Sequence, residues 1–238
     1  MLNEQKENRV KLYGVILGIV MLAAQHGIYL LCNEIAKACG FVPFLPKVPA
    51  IDDLIPVIPI FIIPYIWAYA FWAMAPMAVS KCDRHYFFDF IAAYLGACLL
   101  GGVVLVFFPT YMDRIAEGIW NYPGKGFFCD LMHLWYSMDG SEMAYNLLPS
   151  FHCINSTIAL LGVWGRKEIP KWFQVYSLVT AILLYASTLF VKQHYFLDVF
   201  SGIAVALIAY YLCTHFRVGR VFEKLFDYMQ RTFRAEKK

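Results

Sequence analysis

Two histidines, an aspartate and a serine at a proline-led helix start have the types and spacing to do chemistry here. His194 and Asp198 in "KQHYFLD" are four apart, so on one helix they share a face and the carboxylate can accept from a ring nitrogen. That fixes the tautomer and leaves the other nitrogen as nucleophile or base. A simple buried hydrogen bond satisfies the same spacing. In "NLLPSFHC", Pro149 suits a first helical turn, Ser150 can cap or line it, and His152 falls within it. A helix start offers free N–H groups and a positive dipole end, a ready anion site beside which His152 stands. The plainer alternative is an interfacial histidine among ordinary helix-start residues.

Arg114 in "FPTYMDR" can grip a phosphate with its fork of donors. Lys192 adds a second cation, but two residues before His194 it faces nearly the opposite side of a continuous helix. It helps only if the helix begins after it; otherwise it is a snorkelling interface lysine. Two histidines, a carboxylate, two cations and a helix start together describe phosphoryl transfer through a histidine nucleophile. Ser150, Arg114 and Lys192 are the phosphate ligands in this reading. The sequence has neither an HExxH pattern nor an acidic pair for magnesium among these stretches, so no metal and no other cofactor is expected.

The elements that must position these residues are membrane helices. The 238-residue chain is 61% hydrophobic and 16% charged, and its apolar residues fall in blocks too long for a soluble core. At about 20 apolar residues per span, hydropathy predicts an all-α, single-domain membrane protein. Its six spans fall near 11–32, 54–79, 87–108, 149–164, 172–191 and 196–215. Loops on one side, with both termini, carry 15 of the 20 basic residues; the other side has only Lys37, Lys47, Arg114, Lys125 and Lys192. The positive-inside rule therefore predicts cytoplasmic termini and puts the three chemistry-bearing stretches on the extracytoplasmic face. The net charge of +3 follows from this asymmetry and does not point to nucleic acid.

The first span reads as its own signal anchor. A connection from about Pro109 to Leu148, between the third and fourth spans, is long and aromatic. It is either an interface belt or a lid or wall for a lipid-facing site. The core is expected at about 54–215, and the basic tail at 216–238 reads as an amphipathic helix on the inner surface. Seven cysteines show no CxxC spacing and read mostly as packing residues, although Cys39 and Cys129 share the outer side and could pair. His26 with Gln25 suits an interhelical hydrogen bond or a cavity wall; His133 could touch a headgroup; His85 and His215 are on the cytoplasmic side.

At these residues the chain resembles the type 2 phosphatidic acid phosphatase (PAP2) superfamily, in the six-span branch that includes lipid phosphate phosphatases and the inositol phosphorylceramide and sphingomyelin synthases. The family's Pro-Ser-x-His motif is matched by Pro149 to His152, and Ser-Arg-x5-His-x3-Asp is matched in part by Ser187, His194 and Asp198. The resemblance covers about Phe108 to Gly202. It implies that His194 attacks phosphorus, that Asp198 orients it, and that His152 first protonates the leaving alcohol and then activates the acceptor. The departures are Phe107 and Ile115 around Arg114 in the first motif, which looks more like the synthase side, and Thr188 in place of arginine in the third.

Three functions follow as expectations. The first is a lipid phosphatase acting on a lipid phosphate ester at the outer leaflet. The second is a lipid headgroup phosphotransferase that needs an acceptor alcohol. The third is a non-enzymatic transporter or scaffold, although no inverted repeat or pair of broken spans is evident.

Overall fold

The computed structural model describes residues 10–138 and 142–235. Lys6, Arg9, Lys237 and Lys238, which contribute to the charge asymmetry, lie outside the described residues. The helices are α1 (Leu12–Cys39), α2 (Pro49–Asp52), α3 (Ile62–Val79), α4 (Arg84–Phe107), α5 (Phe127–Met138), α6 (Phe151–Val163), α7 (Lys171–Phe190), α8 (Phe196–His215) and α9 (Gly219–Ala235). A short antiparallel ladder joins β1 (Tyr111–Asp113) to β2 (Met143–Tyr145), with Met112 opposite Ala144. The chain is thus mostly helical, with one small β element that hydropathy could not reveal.

Among the described residues five helices are long and apolar enough to cross a membrane: α1, α3 with the 3-10 turn at Pro59–Phe61 before it, α4, α7 and α8. The fourth predicted segment falls short of that length. Ser150 caps it and Trp164 ends it, leaving 13 helical residues, about 20 Å at 1.5 Å per residue against a hydrocarbon core of about 30 Å. It is apolar because it is enclosed: α6 packs against α3, α4, α7 and α8, and most of its residues are buried. Hydropathy measures apolarity, and a buried core helix satisfies it as well as a lipid-facing one.

Helix ends follow local chemistry. Asp83 caps α4 by accepting from His85 N and Tyr86 N at 2.8 and 3.1 Å. Gly40, at φ 68°, closes α1 in the left-handed conformation, two turns beyond the predicted end of that span. The inner packing is tight where side chains are small. A Cβ on Gly14 would meet Ser80 at 2.3 Å, one on Gly18 would meet Pro76 at 3.3 Å, and one on Gly102 would meet Cys32 Sγ at 2.6 Å. The first half of α1 is therefore seated on the end of α3, and its second half on α4.

The long connection is a built structure. Thr110 pinches its base: its carbonyl accepts from Asn146 N at 2.7 Å, and its hydroxyl from Leu147 N and Leu148 N at 2.9 and 3.1 Å. Above this base, β1, β2 and α5 cover the ends of α3, α6 and the α7–α8 turn, around a core of Met112, Ile119, Met132, Tyr136, Leu147 and Tyr195. Lys47 donates to Glu117 at 2.8 Å and pairs with Asp53 at 2.7 Å; these bonds hold its ammonium pKa above the usual range. The tail forms α9, whose Phe222 and Phe226 pack onto the core cluster of α4 while Glu223 accepts from Arg84 at 2.9 Å. All seven cysteines are free, Cys39 exposed and Cys129 buried, so these two do not pair.

Candidate active site

Asp198 lies in the first turn of α8, and its Oδ2 turns back to accept from Tyr195 N at 2.8 Å, a cap that starts the helix. His194 is therefore not on the helix at all. It stands in the turn before α8, and the shared-face geometry expected for the pair is replaced by a capping carboxylate that reaches back to the imidazole. His194 Nδ1 lies 3.4 Å from Asp198 Oδ2, with Asp198 fully buried. This is longer than a formed hydrogen bond, and neither Nδ1 nor Asp198 Oδ1 has another partner.

The turn itself is set by Lys192, at φ 49° in the left-handed region. That reversal lets Gln193 N and His194 N both donate to the Thr188 carbonyl, at 2.9 and 3.1 Å. Thr188, where the resembled motif carries arginine, thus holds the turn through its backbone. Lys192 is directed elsewhere: its Nζ donates to the Asp52 carbonyl at 2.9 Å, and burial pushes its pKa down. The turn brings Gln193 and His194, not Lys192, to the site.

Ser150 caps α6, its Oγ accepting from Cys153 N at 3.3 Å. Its own N–H donates to the Asp198 carbonyl at 3.0 Å, tying the two helix starts together. Gly202 makes this approach possible, since a Cβ there would lie 2.6 Å from the Ser150 carbonyl oxygen. His152 then stacks on Tyr65 at 4.2 Å between ring centroids and meets the edge of Trp72 at 5.1 Å. Its Nε2 is buried with no partner. The His152 and His194 rings are 6.1 Å apart, centroid to centroid. Both can therefore reach one tetrahedral group by contacts of hydrogen-bond length, ~2.7–3.2 Å.

The rings face a cavity of about 180 Å³. One wall is α1, through Gln25, His26 and Tyr29; another is the aromatic face of α3; the cover is Trp135 and the β2 strand. His26 thus lines the cavity, one of the two roles open to it in the sequence, and the long connection is a wall. His133 bonds the Tyr122 carbonyl at 3.2 Å within the cover. Arg114 is buried one residue behind the cavity, where it donates to Gln193 Oε1 at 3.2 Å and lies 5.0 Å over the Tyr136 ring. Among the described residues no Lys or Arg lines the cavity, and no group of three His, Cys, Asp or Glu is gathered at metal-binding distance.

Sequence reasoning missed Gln193 and Asn155, whereas Trp135 belongs to the aromatic connection for which a wall was one of the expected roles. An amide beside a histidine carries no motif, and only its position against Arg114 marks Gln193.

No curated protein and no solved structure matches the chain. A family model described as PAP2 superfamily matches residues 58–212, which span α3 to α8 and contain both histidine stretches. The match takes in about two thirds of the chain and every residue of the His152–His194–Asp198 arrangement, and by it this chain belongs to the PAP2 superfamily.

Proposed function

We propose that the protein is an integral membrane enzyme that cleaves a lipid phosphate ester at the extracytoplasmic face through a phosphohistidine. The observation that carries this reading is the pair of imidazoles 6.1 Å apart across one cavity, with a buried carboxylate behind the His194 ring only. The asymmetry assigns the roles. Asp198 faces Nδ1 of His194, which leaves Nε2 to attack phosphorus. As the N–P bond forms, the P–O bond to the lipid alcohol breaks, and His152 Nε2 gives that oxygen a proton. In the second half His152 takes a proton from water, the water oxygen bonds to phosphorus, and the N–P bond breaks.

Stacked aromatics hold the His152 ring still, so that it is oriented before substrate arrives. Active-site hydrogen bonds are often long without substrate, and the 3.4 Å His194–Asp198 separation is expected to shorten when phosphorus is engaged. A phosphotransferase shares every step up to the phosphohistidine and differs only in using an alcohol in place of water. The orientation rests on the basic residues, 15 of 20 on the side of the termini.

The test is turnover of lipid phosphates by purified protein in excess chelator, with trapping of the phosphoenzyme. Turnover persists under chelation, vanadate inhibits it, and His194→Ala abolishes both turnover and the trapped species. A His194→Ala protein with near-normal turnover, or activity that vanishes with chelator and returns with one divalent ion, refutes the proposal.

A further inference from the structure

Four amides line the cavity; Asn146 spends its NH₂ group on Asn33 at 2.7 Å, and the other three, Gln25, Asn155 and Gln193, each have the oxygen occupied from behind. Gln25 Oε1 accepts from Tyr94 Oη at 2.5 Å, Asn155 Oδ1 from Cys98 Sγ at 3.4 Å, and Gln193 Oε1 from Arg114 at 3.2 Å. The three donors do not line the cavity, whereas the three amides do. All three amides are buried, at 6%, 1% and 5% exposure. An amide has one acceptor end and one donor end, so a donor behind it orients the NH₂ group forward. No hydrogen bond leaves any of the three NH₂ groups toward another described residue, and Gln193 Nε2 is both buried and without a partner.

We propose that Gln25, Asn155 and Gln193 form an anion hole of neutral donors for the phosphoryl group, and that this selects a phosphorus group with one negative charge, a phosphodiester, over a phosphomonoester dianion. The proposal rests on the reading that phosphorus sits between His152 and His194. The desolvation cost of an ion rises with the square of its charge, so a dianion moved from water to a buried site needs full positive charges against it. This cavity offers none from Lys or Arg on its described walls. Arg114 acts through the Gln193 amide, polarising it and fixing which way it points. Three N–H donors suit the two non-bridging oxygens of a diester. Gln25 lies on α1, outside the matched residues 58–212.

The experiment uses the purified full chain in detergent with two lipids that differ by one methyl group: phosphatidic acid, a monoester, and phosphatidylmethanol, its methyl diester. Both release diacylglycerol when His194 attacks, so one assay reads both. At pH 7.5, above the monoester's second pKa of about 6, kcat/KM for phosphatidylmethanol exceeds that for phosphatidic acid at least ~10-fold, a margin of the size a mismatched polar group produces. Gln193→Glu keeps a partner for Arg114 and nearly the same volume but turns the donor into an acceptor. It lowers kcat by roughly 10²–10³, as loss of one oxyanion donor does, with the thermal midpoint unchanged.

Equal or reversed preference between the two lipids overturns the proposal, as does a Gln193→Glu protein with wild-type kcat. If neither lipid is cleaved, quenching of tryptophan emission by each decides: tighter binding of the diester, lost in Gln193→Glu, sustains the proposal, and equal affinity overturns it. Diacylglycerol release that survives His194→Ala refutes the underlying catalytic reading instead.

Discussion

Replacing Gly202 by alanine tests whether the contact between two helix starts sets the catalytic geometry. The new Cβ would lie 2.6 Å from the Ser150 carbonyl oxygen, 2.9 Å from Cys153 Cβ and 3.4 Å from Ile154 N. A carbon and an oxygen settle no closer than about 3.3 Å, so α6 and α8 must part by roughly 0.7 Å at this point. Backbone cannot rotate aside as a side chain can. The Ser150 N–H to Asp198 carbonyl bond, at 3.0 Å, spans the same gap. His152 moves with α6, while Asp198, and His194 behind it, move with α8. Overpacking of this kind costs about 1–3 kcal/mol of stability, and a 1 Å misplacement of reacting groups about 10²-fold in rate. The expected result is a loss of roughly ten- to a hundredfold in kcat.

Gly162→Ala is the control. Its Cβ would meet the Phe90 ring at 2.4 Å, an equal clash, but at the far end of α6 from His152. Phosphate release and thermal unfolding, measured in detergent below both transition midpoints, separate the two effects. Gly162→Ala is destabilised with turnover retained. A Gly202→Ala protein within a factor of about three of wild type, well inside the loss a 1 Å displacement brings, refutes the reasoning, as does an equal loss of turnover in both variants.

Asp198→Asn keeps an oxygen that can accept from Tyr195 N but loses the charge beside His194, and phosphoenzyme formation in rapid-quench experiments should fall by about 10⁴. Lys192→Gly removes an ammonium that reaches Asp52 and not the cavity, and relieves a left-handed backbone that costs a non-glycine residue about 1 kcal/mol; turnover stays near wild type, and a large rise in KM for the lipid would show that the ammonium serves the phosphate after all. The Lys47 ammonium is held above its usual pKa by Asp53 and Glu117, so its contribution to stability is full below the unfolded value of about 10.4 and is lost as pH rises through the higher folded value. Lys47→Met accordingly lowers the thermal midpoint at neutral pH and weakens the fall seen above about pH 10.4. Cysteines placed singly between Ile115 and Phe127 should react with an impermeant reagent on intact cells; labelling only after lysis inverts the topology.

The candidate histidines were legible because each sits in a short stretch whose chemistry is local: a proline and a serine that start a helix, and a carboxylate four residues after an imidazole. The geometry between His194 and Asp198 was not. A four-residue spacing reads as one helix face, yet the helix begins at Phe196, because the Asp198 side chain and the left-handed Lys192 turn build a cap there. The ends of α7 and α8 fell close to their predicted places, since lipid-facing apolar runs stop where polar turns begin. The predicted span at 149–164 became the short enclosed α6, because a segment apolar on all sides does not say whether lipid or protein surrounds it. Arg114 was expected to grip phosphate directly; instead it donates to Gln193, a contact 79 residues apart in sequence that no local reading could supply. Gln25, Asn155 and Gln193 are ordinary amides until the donor behind each is known.

The knot of hydrogen bonds at Thr110 fixes the base of the cover, while Arg114 to Gln193, Tyr136 to the Val191 carbonyl and Tyr195 to Glu117 tie it to the turn before α8. Both ends of the excursion are fastened at one residue, which also anchors the approach to Pro149. A loop whose ends are already joined pays little for added length: doubling it costs only about 0.6 kcal/mol in closure entropy. Insertions beside the exposed Lys125, away from those ties, can therefore lengthen the cover while the imidazoles stay in place. The place where the chain can lengthen is thus set apart from the place where the imidazoles are held.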